Sequence, residues 1–130
     1  MILDTNAVSA LLAGDKELAV VLASRERHHL PVIVIGEYRY GLLRSRYMQR
    51  LGPLLDILIR ESIPLAVDLE TTDHYAQVRD ELRRSGTPIP ENDVWIAALA
   101  RQHKEPVVSR DEHFDAVKGI VRHSWEAVPQ

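Results

Sequence analysis

With 130 residues, 45% of them hydrophobic, the chain has the size of one domain (1–130) able to bury about two-thirds of its unfolded surface without staples. It holds no cysteine, which excludes a disulfide framework, a thiolate zinc site and a nucleophilic thiol, and favours a reducing compartment, most simply the cytoplasm. A formal net charge of −3 counts against binding phosphates through Lys and Arg alone, unless carboxylates hold divalent cations that reverse the local field. The longest apolar runs, Leu18 to Ala23 and Pro31 to Gly36, fall far short of the roughly 20 residues a bilayer requires. The opening Met1-Ile2-Leu3-Asp4 lacks the features of a signal peptide.

Along the chain, Met1 to Leu3 is a short apolar run stopped by Asp4-Thr5-Asn6, which offers helix caps. A short helix carries Val8, Leu11 and Leu12 and ends at Gly14; a second is expected over Lys16 to Arg27. Pro31 to Ile35 is continuous and β-branched, the pattern of a buried strand, with a helix beginning at Gly36-Glu37-Tyr38. A helix from about Arg46 to Arg60 follows, with Pro53 placed to kink or divide it. Pro64 to Val67 reads as a strand, Asp68 as a cap, and Leu69 to Arg84 as a long amphipathic helix. Gly86 stops that helix and Pro88 and Pro90 hold the next segment extended. Glu91-Asn92-Asp93 then caps a helix that is apolar on nearly every face, followed by a strand over Pro106 to Ser109. A helical turn over Asp111 to Val117 and a last short strand at Ile120 to Val121 complete the pattern. This alternation predicts an α/β fold with a parallel sheet and helices on both faces, where ligands sit beyond the carboxyl ends of the strands.

Three acids fall there: Asp4 after the first strand, Glu37 after the second and Asp111 after the one ending near Val108. A fourth, Asp93, heads the helical stripe of Ile96, Ala97 and Ala100 that packs on the sheet. Singly, each has an ordinary use: Asp4 and Asp93 as helix caps, Glu37 as a first-turn acid and Asp111 as a turn initiator. Jointly those uses explain less, because converging carboxylates repel and their burial raises their pKa unless a cation is present. Oxygen-only donors suit a hard cation, Mg²⁺ or Mn²⁺. Such an ion polarises a phosphodiester and lowers the pKa of bound water, while a carboxylate not used as a ligand orients or deprotonates that water.

Four segments carry a resemblance: Ile2-Leu3-Asp4-Thr5-Asn6, Ile35-Gly36-Glu37-Tyr38-Arg39-Tyr40-Gly41, Asn92 to Ala100, and Val107 to Phe114. In this order, and over almost the whole chain, they resemble the PIN-domain family, and within it the VapC-type toxins of prokaryotic toxin–antitoxin pairs. The resemblance implies a three-layer α/β/α domain with four or five parallel strands. It also implies Mg²⁺- or Mn²⁺-dependent endoribonuclease activity, an RNA substrate, an antitoxin partner covering the acidic crevice, and a homodimer. Asp4, Glu37, Asp93 and Asp111 match the family's acidic quartet, with Asp4 and Asp93 as the most direct ligands. Thr5, Asn6, Asn92 and Ser109 match residues that orient those acids. Asp115, four residues beyond Asp111, is a second candidate for the fourth corner. Gly41 fits the pattern as a small residue where a helix approaches its neighbour.

Other features weigh less. Arg39, Arg44, Arg46 and Arg50, and Arg79, Arg83 and Arg84, read as solvated helix faces. His28-His29 reads as a solvated loop pair, and His113 as a surface residue with phosphate contact as the alternative. Trp95 reads as core, and Trp125 as core edge or partner contact. A haloacid-dehalogenase-type phosphohydrolase would want Asp where Asn6 stands, and a receiver domain a phosphoaccepting Asp where Gly36-Glu37 stands. Nucleotide-binding glycine motifs are absent. A catalytically silent PIN-like scaffold for protein or RNA is the non-enzymatic alternative; loss of one of the four acids would favour it, and all four are present.

Overall fold

The computed structural model describes residues 1–23 and 27–126. Its sheet holds five short parallel strands, β1 (Ile2–Leu3), β2 (His29–Pro31), β3 (Ile63–Leu65), β4 (Val107–Val108) and β5 (Arg122–His123), in the order β3-β2-β1-β4-β5. Among the described residues the helices are α1 (Thr5–Leu12), α2 (Lys16–Ala23), α3 (Val32–Leu43), α4 (Met48–Glu61), α5 (Leu69–Arg84) and α6 (Glu91–His103). A 3₁₀ turn (Glu112–Ala116) follows β4. The two connections β1–β2 and β2–β3 step one way along the sheet, and the connection β3–β4 steps back across β2 and β1. Right-handed crossovers therefore put α1 to α4 on one face and α5 and α6 on the other. The contacts agree: α1 packs on α2, α3 and α4, while α5 packs on α6. The result is three layers, with the central strands β1 and β4 fully buried between them.

Three strands lie elsewhere than the apolar pattern predicts. The run Pro31 to Ile35 is expected as a strand, but β2 ends at Pro31 and Val32 already opens α3. A strand needs a partner for its backbone, and β1 is only two residues long because Asp4 caps α1. Beyond Pro31 the chain would run past both partners, since β1 pairs at His29 and β3 ends at Leu65 opposite Pro31, whereas as a helix it buries Val34, Tyr38 and Leu42 at four-residue spacing. That burial outweighs the few tenths of a kcal/mol that each β-branched residue costs a helix. Similarly, β3 starts one residue before Pro64, a proline tolerated because β3 pairs on one side only. The last strand is Arg122–His123 rather than Ile120 to Val121, anchored by Val107 N–H on the Val121 carbonyl and Ser109 N–H on the His123 carbonyl.

The helices follow their punctuation more closely. Asp4 caps α1 through the Thr5 amide, and Gly14, at φ +88°, sits just beyond the end of that helix. Asp68 and Thr71 form a reciprocal capping box at the start of α5. Helix α4 starts at Met48 and runs through Pro53 without dividing. The expected extension of α2 to Arg27 crosses residues 24–26, outside the described residues; Arg27 itself is not helical and donates to the Ser62 carbonyl at 2.9 Å. The cap of α6 is Pro90, so Glu91, Asn92 and Asp93 lie inside its first turn instead of capping it. His29 is likewise no loop residue: it opens β2, where burial lowers its pKa.

Gly41 does not mark a close helix approach. A Cβ built there meets nothing within 4 Å, and the position is exposed near the end of α3. Gly41→Ala should therefore stabilise the fold by about 0.5–1 kcal/mol, through the smaller backbone entropy of the unfolded chain. Chemical denaturation checks this: an unchanged or lower midpoint would mean that α3 needs glycine for another reason.

Candidate active site

The strand order reverses between β1 and β4, the place in an open parallel sheet where connections diverge to opposite faces and leave a crevice. Asp4 leaves β1 there, and Ser109 and Asp111 leave β4. Asp4 is 5% exposed, and its carboxylate accepts from the Thr5 amide at 2.8 Å, the Ser109 hydroxyl at 2.7 Å and Asn6 Nδ2 at 3.4 Å. Three donors on the four lone-pair sites of a carboxylate leave one for a cation.

Ser109, fully buried, organises the crevice. Its Oγ donates to Asp4 and accepts from Asn6 Nδ2 at 3.1 Å and from the Asp111 amide at 2.9 Å. Asn6 in turn accepts from the Arg110 amide through Oδ1. One hydroxyl thus ties the end of β1 to the end of β4, and a methyl at residue 109 would leave Asp4 and the Asp111 amide without that partner.

Glu37 arrives from the second turn of α3, not from a strand end as the sequence pattern suggests. It is half-buried beside the side chains of Thr5 and Asn92, and the buried Thr5 Oγ1 makes no hydrogen bond of its own. Asp93, on the first turn of α6, is 14% exposed at the side chain. Asp111 caps the 3₁₀ turn by accepting the His113 amide at 2.9 Å.

Electrostatics tie the four acids together. Burial raises the Asp4 carboxyl, with Asp111 adding to the rise against the Ser109 and Thr5 hydrogen bonds. Burial and then Asp4 raise Glu37, opposed by Thr5 and Asn92. Asp93 is pushed up to about 6, chiefly by burial and by Asp4, with Asp111 contributing and His113 opposing. These carboxylates act on one another at a cost that the α6 N-terminus, which favours anions, does not cancel. A hard divalent cation is the group whose charge would relieve that cost, and the oxygen donors present fit it.

His113, read from the sequence as a surface residue, stands inside this arrangement. Its Nδ1 is 2.8 Å from Asp111 Oδ1 and 3.4 Å from Asp93 Oδ2. The Asp-x-His spacing at the start of a tight turn is the signal for it, since one turn there brings the second side chain back over the first. Asp115 goes the other way. It pairs through both oxygens with Arg122, at 2.9 Å each, and that partner holds its carboxyl below the usual range. Trp125 is buried, donates to Asp15 at 3.1 Å and lies under Arg110, so it belongs to the core edge. Half-buried Trp95 stacks on Tyr75, beside a groove of about 630 Å³ that Arg79 and Glu91 help to line. Arg83 and Arg84 pair with Asp80, Arg79 pairs with Glu91, and Arg44, Arg46 and Arg50 lie over Tyr40 or Tyr47.

Comparison with known proteins places this geometry. The PIN domain family model matches residues 1–120. The chain belongs to the PIN domain family. Among similar proteins, Ribonuclease VapC5 of Mycobacterium tuberculosis is 32% identical over 122 residues, 91% of this chain and 87% of the relative. Among solved structures, DNA-bound VapBC from Salmonella typhimurium matches with a TM-score of 0.87 and 26% identity, over 95% of this chain and 96% of that one. A member of the VapBC family of toxin–antitoxin systems, VapBC-5 from Mycobacterium tuberculosis, matches with a TM-score of 0.70 and 26% identity, covering 95% and 94%. The PIN fold of this chain, three layers around a five-stranded parallel sheet, is therefore shared along nearly its full length.

Proposed function

We propose that this PIN domain is a metal-dependent endoribonuclease, the toxin of a toxin–antitoxin pair, that cleaves RNA phosphodiesters at Asp4, Glu37, Asp93 and Asp111. The observation that carries the reading is the mutual repulsion of these acids in a crevice at the switch point, in a chain 32% identical to a named ribonuclease. Asp4 and Asp93 are the direct ligands of Mg²⁺ or Mn²⁺, with Asp111 completing the donor set. A bound divalent cation supplies charge neutralisation at the phosphate and a water of lowered pKa.

The protein's own groups do the rest. Ser109 and the Thr5 amide hold Asp4 in one orientation, so no reorganisation is needed when the phosphate arrives. Glu37, kept basic by burial and by the nearby Asp4, orients the attacking water and accepts its proton. A cognate antitoxin protein is the partner expected to suppress cleavage, in line with the toxin–antitoxin systems among the similar structures.

Cleavage of RNA by purified protein should require added Mg²⁺ or Mn²⁺ and stop with a chelator. Asp111→Asn should lower the rate at least about tenfold. Asp115→Asn should leave it within about twofold, because the half-exposed Asp115 carboxylate pairs with Arg122 and not with the other acids. Gel analysis of a defined RNA reads both. Cleavage in excess chelator would sink the metal reading, and the reverse order of the two variants would move the fourth corner to Asp115.

A further inference from the structure

We propose that His113 is a metal ligand of this site, adding a nitrogen to the carboxylate oxygens and tilting the site toward Mn²⁺ over Mg²⁺. The inference rests on the metal-site reading above and extends it to a residue outside the acidic quartet. Asp93, Asp111 and His113 each offer one ligand atom, and these three atoms lie within 4.8 Å of one another. Adjacent ligands around an octahedral ion at about 2.1–2.2 Å are about 3 Å apart. The separations of His113 Nδ1 from Asp111 Oδ1, 2.8 Å, and from Asp93 Oδ2, 3.4 Å, bracket that spacing. Nδ1 faces both carboxylate oxygens, so an ion held by the two acids would meet this nitrogen. A ligating imidazole binds through a ring nitrogen that bears no hydrogen, its other nitrogen carrying the N–H.

The ring is also positioned for the task. The His113 amide donates to Asp111 Oδ1, which fixes this residue against its neighbouring ligand, and the imidazole is half-exposed, so it can turn onto an ion without disturbing the core. Mg²⁺ demands oxygen donors and keeps its waters, whereas imidazole suits later first-row metals and Mn²⁺ tolerates it. A site of carboxylates alone would discriminate less between the two ions.

Pulsed electron paramagnetic resonance of the full chain with one equivalent of Mn²⁺ tests this. The wild type should show the nitrogen modulation of a directly bound imidazole, and His113→Ala should lose it. Calorimetric titration with each ion should show the ratio of Mn²⁺ to Mg²⁺ affinity falling about tenfold in His113→Ala, and His113→Asp should shift the ratio the same way by supplying oxygen. Mn²⁺ binding without nitrogen modulation in the wild type overturns the ligand assignment and leaves the acidic metal site standing. Modulation that persists in His113→Ala does the same, since another histidine would be its source. Failure of the wild type to bind Mn²⁺ overturns both readings together.

Discussion

Asp4→Asn should abolish RNA cleavage, with a loss of roughly a thousandfold or more, while the protein stays folded. The substitution keeps the shape and one acceptor oxygen but removes the charge a cation needs. A thousandfold is about 4 kcal/mol of barrier, well beyond what misplacing an orienting residue usually costs. Stability should change little, for two opposed reasons. The amide relieves the repulsion that Asp4 shares with Glu37, Asp93 and Asp111. It also loses a hydrogen bond of about 1 kcal/mol, because both the Thr5 amide and the Ser109 hydroxyl donate to this side chain and an Asn offers only one acceptor atom. The paired measurements are single-turnover cleavage and thermal unfolding. Cleavage by Asp4→Asn at the wild-type rate, with an unchanged melt, would remove Asp4 from the chemistry altogether.

The second large effect is in stability against pH. Asp93 titrates at about 6 in the fold against 3.8 in the free side chain, so the native state binds its proton more tightly than the unfolded chain does. Stability of the metal-free protein from this group is therefore greatest below about pH 4 and declines as pH rises through 6. Asp4 and Glu37, also raised, act in the same direction. His29, lowered by burial, acts in the opposite one, since the unfolded chain takes its proton first as pH falls below 6.5. Asp93→Asn isolates the term. In chelator it should be more stable than the wild type by about 2 kcal/mol at pH 7.5, the full shift being discounted for the partial burial of the group. The gap should close near pH 4, where the wild-type carboxyl is protonated and resembles the amide. Excess Mn²⁺ should reverse the order at pH 7.5, because the ion binds the native wild type and stabilises it by mass action. Denaturant titrations at the two pH values, with and without metal, read all of this. A gap that is equal at pH 4 and pH 7.5 would show that the charge of Asp93 is not under strain.

Much of this site is written in local sequence. Asp4 and Asp68 are capping residues at helix starts, Gly14 and Gly86 adopt positive φ just beyond helix ends, and α5 spans Leu69–Arg84 as its amphipathic pattern indicates. Such features are legible because caps, turns and helical periodicity depend on residues a few positions apart. The four quartet segments are short for the same reason, each an acid with its sequence neighbours, although the contacts to Asp4, Glu37 and Asp93 also come from distant segments. Where the outcome depends on distant segments, the local pattern misleads. Val32 to Ile35 carry strand-like residues, yet they open a helix, because β1 pairs with β2 only at His29 and β3, some thirty residues later, ends opposite Pro31.

The sequence by itself determined that strands alternate with helices and that acids stand where strands end, since patterning and capping are short-range properties of the chain. Only the tertiary structure decided how those acids meet. Packing sends Glu37 into the crevice from the second turn of a helix and links β1 to β4 through the Ser109 hydroxyl. It turns Asp115 away onto Arg122 and brings His113 between Asp93 and Asp111. Each of these rests on a side-chain direction, and most join segments far apart in the chain. Spacing along a sequence carries that information only weakly: Asp111 and Asp115 are four residues apart, yet one faces the acids and the other a guanidinium.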